Sequence, residues 1–307
     1  MVDKVDHTLS VPLKSTSDNG HGDKDEEKVY DIKHASDIYG DWGPYQRNCL
    51  IYMISIYLVA SFQNIGITFY SAPIGYHCKL PPGAEGRNTS KCFTYEGSSE
   101  PCREWTYDHS FYKSTIVDEF DLVCDREHFV SMSKSVYQVG YLIASLLSGW
   151  MSDKYGRLFT FKCAVILEIF ASLSQALSTT IYYFLTSRLF LGIGAFTRFV
   201  TAVTLLIELV GPKSRGKVKF MSEIGWCGGL LLLPIANYYV PHFRHMQLIV
   251  FGYEVILSIG MWKLRESPRW LITHNRIQEA TELIRAAAKV NGVPTDEIES
   301  KIIRFKR

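Results

Sequence analysis

No arrangement of residues in this chain suits covalent catalysis. It has no H-E-x-x-H, no G-x-S-x-G and no G-x-x-x-x-G-K-[ST], the spacings used in metal-assisted hydrolysis, acyl transfer and phosphate binding. What it has instead is charge in places where charge is costly. Gly149-Trp150-Met151-Ser152-Asp153-Lys154-Tyr155-Gly156-Arg157 spells G-x-x-x-D-K-x-G-R between two long apolar runs. So short a link needs Gly156, whose missing Cβ opens backbone conformations closed to other residues. Asp153, Lys154 and Arg157 then hold charge beside a membrane surface, where it can pair with neighbouring helix ends. Inside the apolar runs stand Glu168, Arg198, Glu223 and Glu254. A charge at mid-bilayer costs about 3 kcal/mol on insertion scales, so such residues face a cavity or a partner. The chemistry on offer is ion pairing and ion recognition. The chain reads as a non-enzyme with no cofactor and no metal site.

Six segments must position these charges: about 49–70, 133–151, 159–177, 182–210, 220–239 and 246–264. Mean hydropathy is near zero, but the average conceals clustering. Each run approaches the 20 or so residues, at about 1.5 Å of rise, that cross a bilayer. They must be helical, because lipid offers no partner for unpaired backbone groups. Lys154 and Arg157, then Lys213, Arg215, Lys217 and Lys219, then Lys263, Arg265 and Arg269 fall in links on one side. That side is expected to be cytoplasmic. With an even number of crossings both termini are cytoplasmic, and residues 1–45 form a polar tail. The net charge of +2 is too small to point to nucleic acid, and topology accounts for the basic residues.

Residues 71–132 form a long loop between helices one and two, on the expected outer side, where disulfides persist. It holds Cys78, Cys92, Cys102 and Cys124, four of the seven cysteines. Four cysteines allow three pairings, and spacing does not choose among them. Asn88-Thr89-Ser90 in the same loop is an N-glycosylation acceptor. Gly225-x-x-x-Gly229 and Gly140-x-x-x-Ala144 permit close helix contact. After helix six, Ile277, Ala280, Ile284 and Ala287 form a helical stripe that Asn291-Gly292 ends, so 266–307 reads as a cytoplasmic helical tail.

Several stretches share one resemblance. The G-x-x-x-D-K-x-G-R link resembles the loop between helices two and three of the major facilitator superfamily. Ser114-Thr115-Ile116-Val117-Asp118-Glu119-Phe120-Asp121-Leu122-Val123-Cys124-Asp125 resembles the stretch before helix two in the organic cation, anion and carnitine transporters of that superfamily. Glu208-Leu209-Val210-Gly211-Pro212-Lys213-Ser214-Arg215-Gly216 and Glu266-Ser267-Pro268-Arg269-Trp270-Leu271 are similar to that family's signatures after helices four and six. The resemblance runs from about Trp42 to Gly292. It departs in having four loop cysteines where many members have six, and Leu158 where a third basic residue is common.

The resemblance implies an all-α membrane protein, the six-helix N-terminal bundle of the major facilitator fold spanning 46–265, multipass in the plasma membrane. It implies a conformational charge network of Asp153, Arg157, Glu208 and Arg215. An ion pair at a partly dehydrated interface is strong enough to latch and weak enough to break. Arg198, on helix four, is a candidate to attract an anion or to pair with Glu168 or Glu223. Gln63, Asn64, Tyr137 and Gln138 are further candidate substrate contacts. Arg188, in an R-x-x-x-G element, belongs to the same helix. The expected function is alternating-access transport of a small charged organic substrate, cation, anion or zwitterion. The expected partners are the lipid bilayer and a missing C-terminal bundle, this chain being a fragment. The alternative is a non-transporting form that associates with or regulates a full-length homologue.

Overall fold

The computed structural model describes residues 35–80 and 90–295 together with Ile298 and Ile302. Asn88 lies outside the described residues. The chain begins with α1 (Ser36–Tyr39), then α2 (Pro44–Ile65), which starts at Pro44 because a proline in the first turn loses no helical hydrogen bond. α3 (Ile67–Tyr70) extends it past a break at Gly66. In the long loop β1 (Tyr76–Cys78) pairs antiparallel with β2 (Trp105–Tyr107). α4 (Ile116–Glu119) is set by a capping box, Thr115 accepting from Val117 and Asp118 accepting from the Thr115 N–H. Five longer helices follow: α5 (His128–Tyr155), α6 (Arg157–Ala176), α7 (Ile181–Leu209), α8 (Pro212–Tyr239) and α9 (Phe243–Met261). The short α10 (Pro268–Thr273) leads into α11 (Ile277–Asn291), which Gly292 ends in the left-handed conformation.

The six expected crossings correspond to α2–α3, α5, α6, α7, α8 and α9, with longer ends at several. Four of them, Pro44–Tyr70, α6, α7 and α8, are long and apolar enough to cross a membrane by length and composition. α5, with 28 residues, and α9, with 19, have the length but are diluted by Lys134 and Gln138 in one and Arg244, Gln247 and Glu254 in the other. All six pack together, α7 between α5 and α6, α2 on α8, and α6 on α9. Small residues set the closest approaches. A Cβ on Gly225 of α8 would strike the Ile54 carbonyl of α2, and one on Gly140 of α5 would lie 2.5 Å from the Leu189 carbonyl of α7.

The two ends of the bundle are finished differently. At one, the long loop is closed by Cys78–Cys102 and Cys92–Cys124, one of the three pairings open to the sequence. It is fastened by Arg244, which pairs with Glu119 at 2.7 Å and donates to the carbonyls of Ala176 and Ser178. At the other end, α10 and α11 bury Leu271, Ile284 and Ala287 against Ile38, Tyr39 and Ile302. Part of the polar tail is packed structure, with Tyr39 donating to the Leu209 carbonyl and Asn291 donating to that of Tyr39.

Candidate functional site

Two groups of charge stand out. The first surrounds the turn between α5 and α6. Gly156 takes φ +104°, a backbone state that costs other residues heavily. The turn brings Arg157 to the end of α7, where Nε and Nη2 each lie 3.2 Å from an oxygen of Glu208. This fork-on-carboxylate arrangement adds directional specificity to the charge attraction. Both side chains are largely buried, at 14% and 11% exposed. Arg157 also lies 3.1 Å from Asp153, but that carboxylate is 77% exposed. The weight of the pairing therefore falls on Glu208, since exposed pairs contribute little.

Glu266 completes the turn. Its carboxylate accepts from the backbone N–H of Arg157 at 3.0 Å, of Leu158 at 3.0 Å and of Ser267 at 2.8 Å. It thus caps the otherwise unpaired first amides of α6, where a negative charge is favourable. Burial pushes the Glu266 carboxyl up, and the three amides oppose that shift. Trp270, one helical turn on, donates its indole N–H to the Asp153 carbonyl at 2.8 Å. No local pattern in the sequence marks Glu266 for this role. The only signal was its place at the head of the Glu266-Ser267-Pro268-Arg269-Trp270-Leu271 stretch.

Arg215 is not brought into this network. α8 starts at Pro212, which carries Arg215 round to the C-terminal end of α7, where it donates to the Val210 carbonyl. A cation there complements the helix end. The structure joins three of the four expected residues and adds Glu266.

The second group lies inside the bundle. Arg198 of α7 donates from Nη2 to Glu168 of α6 at 2.8 Å, and both side chains are nearly fully buried. Of the two partners weighed for Arg198, the structure uses Glu168, and Glu223 pairs with Lys219 one turn away on α8. Gln63 of α2 donates to Glu254 of α9 at 2.8 Å and to Ser172 of α6 at 3.1 Å. Arg188 donates to the Gln63 carbonyl at 3.1 Å and lies over the Tyr137 ring at 4.3 Å. Gln63, Tyr137 and Arg198 are therefore enclosed between helices, with no open face in this packing. Asn64 is half-buried and donates to Tyr141, whereas Gln138 is exposed. The structure does not gather the five candidate substrate contacts at one surface, because helical periodicity turns Gln63 and Tyr137 inward and Gln138 outward.

Residues 85–304 match the family model described as sugar (and other) transporter. The Drosophila melanogaster protein named beta-alanine transporter is 34% identical over 194 residues, 63% of this chain and 32% of that protein. The Mus musculus organic cation/carnitine transporter 2 is 27% identical over 86% of the chain and 55% of its own length. The chain thus spans about half the length of that relative, and less of the first. Among solved structures, the major facilitator superfamily proton:xylose symporter XylE superposes with a TM-score of 0.61 at 15% identity, covering 84% of this chain and 53% of that one. That likeness shows the fold, a bundle of the major facilitator type. With the family model matched over well over half its residues, the chain belongs to the sugar (and other) transporter family.

Proposed function

We propose that this chain supplies one helical bundle of an alternating-access carrier for small organic ions. The relatives support the substrate class, one being named for beta-alanine and another for organic cations and carnitine. The observation that carries the reading is the charged junction on Gly156, where Arg157, Glu208 and Glu266 tie α5, α6, α7 and the segment before α10 together. Partly buried ion pairs can hold one state and release it at modest cost, as a rocking bundle requires. In this reading the carrier sits in the plasma membrane, and the Lys and Arg of the short links support a cytoplasmic junction with the disulfide loop outside. Asn64 and Gln138 are the proposed substrate contacts nearest a surface, and Gln63, Tyr137 and Arg198 position the helices behind them.

The second bundle is part of the same proposal. Leu142, Leu146 and Trp150 on α5, with Leu231 and Tyr238 on α8, are all more than half exposed and offer an apolar face that lipid or another bundle would cover. The same face favours the second reading, in which the chain associates with a full-length homologue and does not itself transport.

Purified chain in proteoliposomes separates the two readings from a third. The carrier proposal and the associating form both predict no saturable uptake of small organic ions by the chain alone. Addition of a second bundle then restores uptake only under the first. Saturable uptake by the chain alone would contradict both. Loss of gel mobility retardation on endoglycosidase treatment in a eukaryotic host is expected from Asn88, and unchanged mobility contradicts glycosylation at that residue.

A further inference from the structure

Two carboxylates and one guanidinium meet in the centre of the bundle, and they are not equally provided for. Glu168 faces the Arg198 guanidinium directly. Glu254, also buried, receives the Gln63 amide on Oε1 and has the Ser172 hydroxyl beside it, and its Oε2 accepts no hydrogen bond from any described residue. Both carboxylates, Arg198, Tyr52 and Ser258 line one small cavity of about 10 Å³, about the space one water occupies. The remaining polar groups nearby do not neutralise Glu254. From α2 comes the Gln63 amide and from α6 the Ser172 hydroxyl, while the Tyr52 hydroxyl is spent on the Leu257 carbonyl at 3.0 Å and that of Ser258 on the Val255 carbonyl. Arg188 is turned to the carbonyls of Gln63 and Ser133 and to the Tyr137 ring.

We propose that Glu254 is a proton-binding site, the proton residing on Oε2 toward the shared cavity. One guanidinium can balance one carboxylate, and two buried carboxylates beside each other do not both stay charged. With the proton on, an O–H bond forms at Oε2, Glu254 is neutral, and Arg198 belongs to Glu168 alone. With the proton released to water, Glu254 competes for Arg198, and the contact between α6 and α7 is shared with α9. Proton occupancy at one residue therefore biases the packing of three helices. The inference stands on this geometry and does not depend on which molecule the carrier moves.

The test is infrared difference spectroscopy of the purified chain in lipid nanodiscs, stepped from acid to alkaline medium. A protonated-carboxyl C=O band that appears on acidification, shifts in D₂O, and is absent from Glu254→Gln is expected. Gln63→Leu, which removes the bond to Oε1, should move the band without abolishing it. If Glu254→Gln does not give monodisperse protein, Glu254→Asp serves, and the band should persist at a changed frequency. A wild-type chain with no such band across its stable range overturns the proposal. So does a band that survives unchanged in Glu254→Gln, or one unmoved in both Gln63→Leu and Glu254→Asp.

Discussion

The backbone N–H of Arg157 donates to the Glu266 carboxylate at 3.0 Å across 109 residues of chain, and the same carboxylate occupies the space a side chain on residue 156 would need. A Cβ on Gly156 would come within 2.5 Å of Glu266 Oε2. The start of α6 and the segment leaving α9 are thus locked by one acid and one missing side chain. Gly156 is required twice over, for its positive φ and for this clearance.

Gly156→Ala should therefore destabilise the chain by about 2 kcal/mol or more, from backbone strain alone before the collision is counted. Gly216→Ala, whose Cβ would meet nothing within 4 Å, is the matched control. Thermal unfolding in detergent, followed by loss of monodisperse protein, should separate the two. Equal midpoints would contradict the role given to the turn.

Glu208→Gln and Asp153→Asn remove one partner each from Arg157, but in different surroundings. Glu208 is mostly buried, so losing its charge should cost about 3 kcal/mol. Asp153 is exposed, and its loss should cost under about 1 kcal/mol. Transport by a complete carrier should follow the same order at matched surface expression. A larger effect at Asp153 would show that its partner lies elsewhere.

Peptide mapping without reduction should recover Cys78 linked to Cys102 and Cys92 linked to Cys124. Each bridge is expected to add about 3 kcal/mol by restricting the unfolded chain, so Cys78→Ser with Cys102→Ser should lower resistance to unfolding of the loop. Recovery of a Cys78–Cys92 or Cys102–Cys124 peptide from folded protein would contradict the arrangement.

On α8, Gly225 touches the α2 backbone while Gly228 faces open space. Gly225→Leu should sharply reduce the yield of monodisperse protein, and Gly228→Leu should leave it near wild type. Equal losses would mean that helix propensity governs and the close approach does not.

The helices were legible because their signals are redundant: a run such as 182–210 needs no partner to be recognised, and Gly292 marks the end of α11 by itself. Gly156 and Arg157 were legible as a turn with charge. Glu266 was not, because its role depends on where the chain returns after crossing the bundle, and no local pattern encodes that. Arg215 stands apart from the junction in this packing for the reverse reason. The resemblance of Glu208-Leu209-Val210-Gly211-Pro212-Lys213-Ser214-Arg215-Gly216 to the family signature implies a place in the network, and here one turn of α8 carries Arg215 to the Val210 carbonyl. Gln63 and Gln138 look alike as polar residues in apolar runs, and only packing shows that one is enclosed and the other exposed. The choice of Glu168 over Glu223 for Arg198 likewise follows from the register of α6 against α7.

Saturable uptake tests the central proposal most directly. This chain, fused to the second half of the organic cation/carnitine relative and reconstituted in proteoliposomes, should take up at least one of three tracers: a small amino-acid zwitterion, a quaternary ammonium ion or an organic carboxylate. Uptake should saturate, fall with excess unlabelled tracer, and drop on Glu208→Gln. Correctly oriented, monodisperse fused protein that moves none of the three with saturation would contradict the proposal that this bundle belongs to an organic-ion carrier.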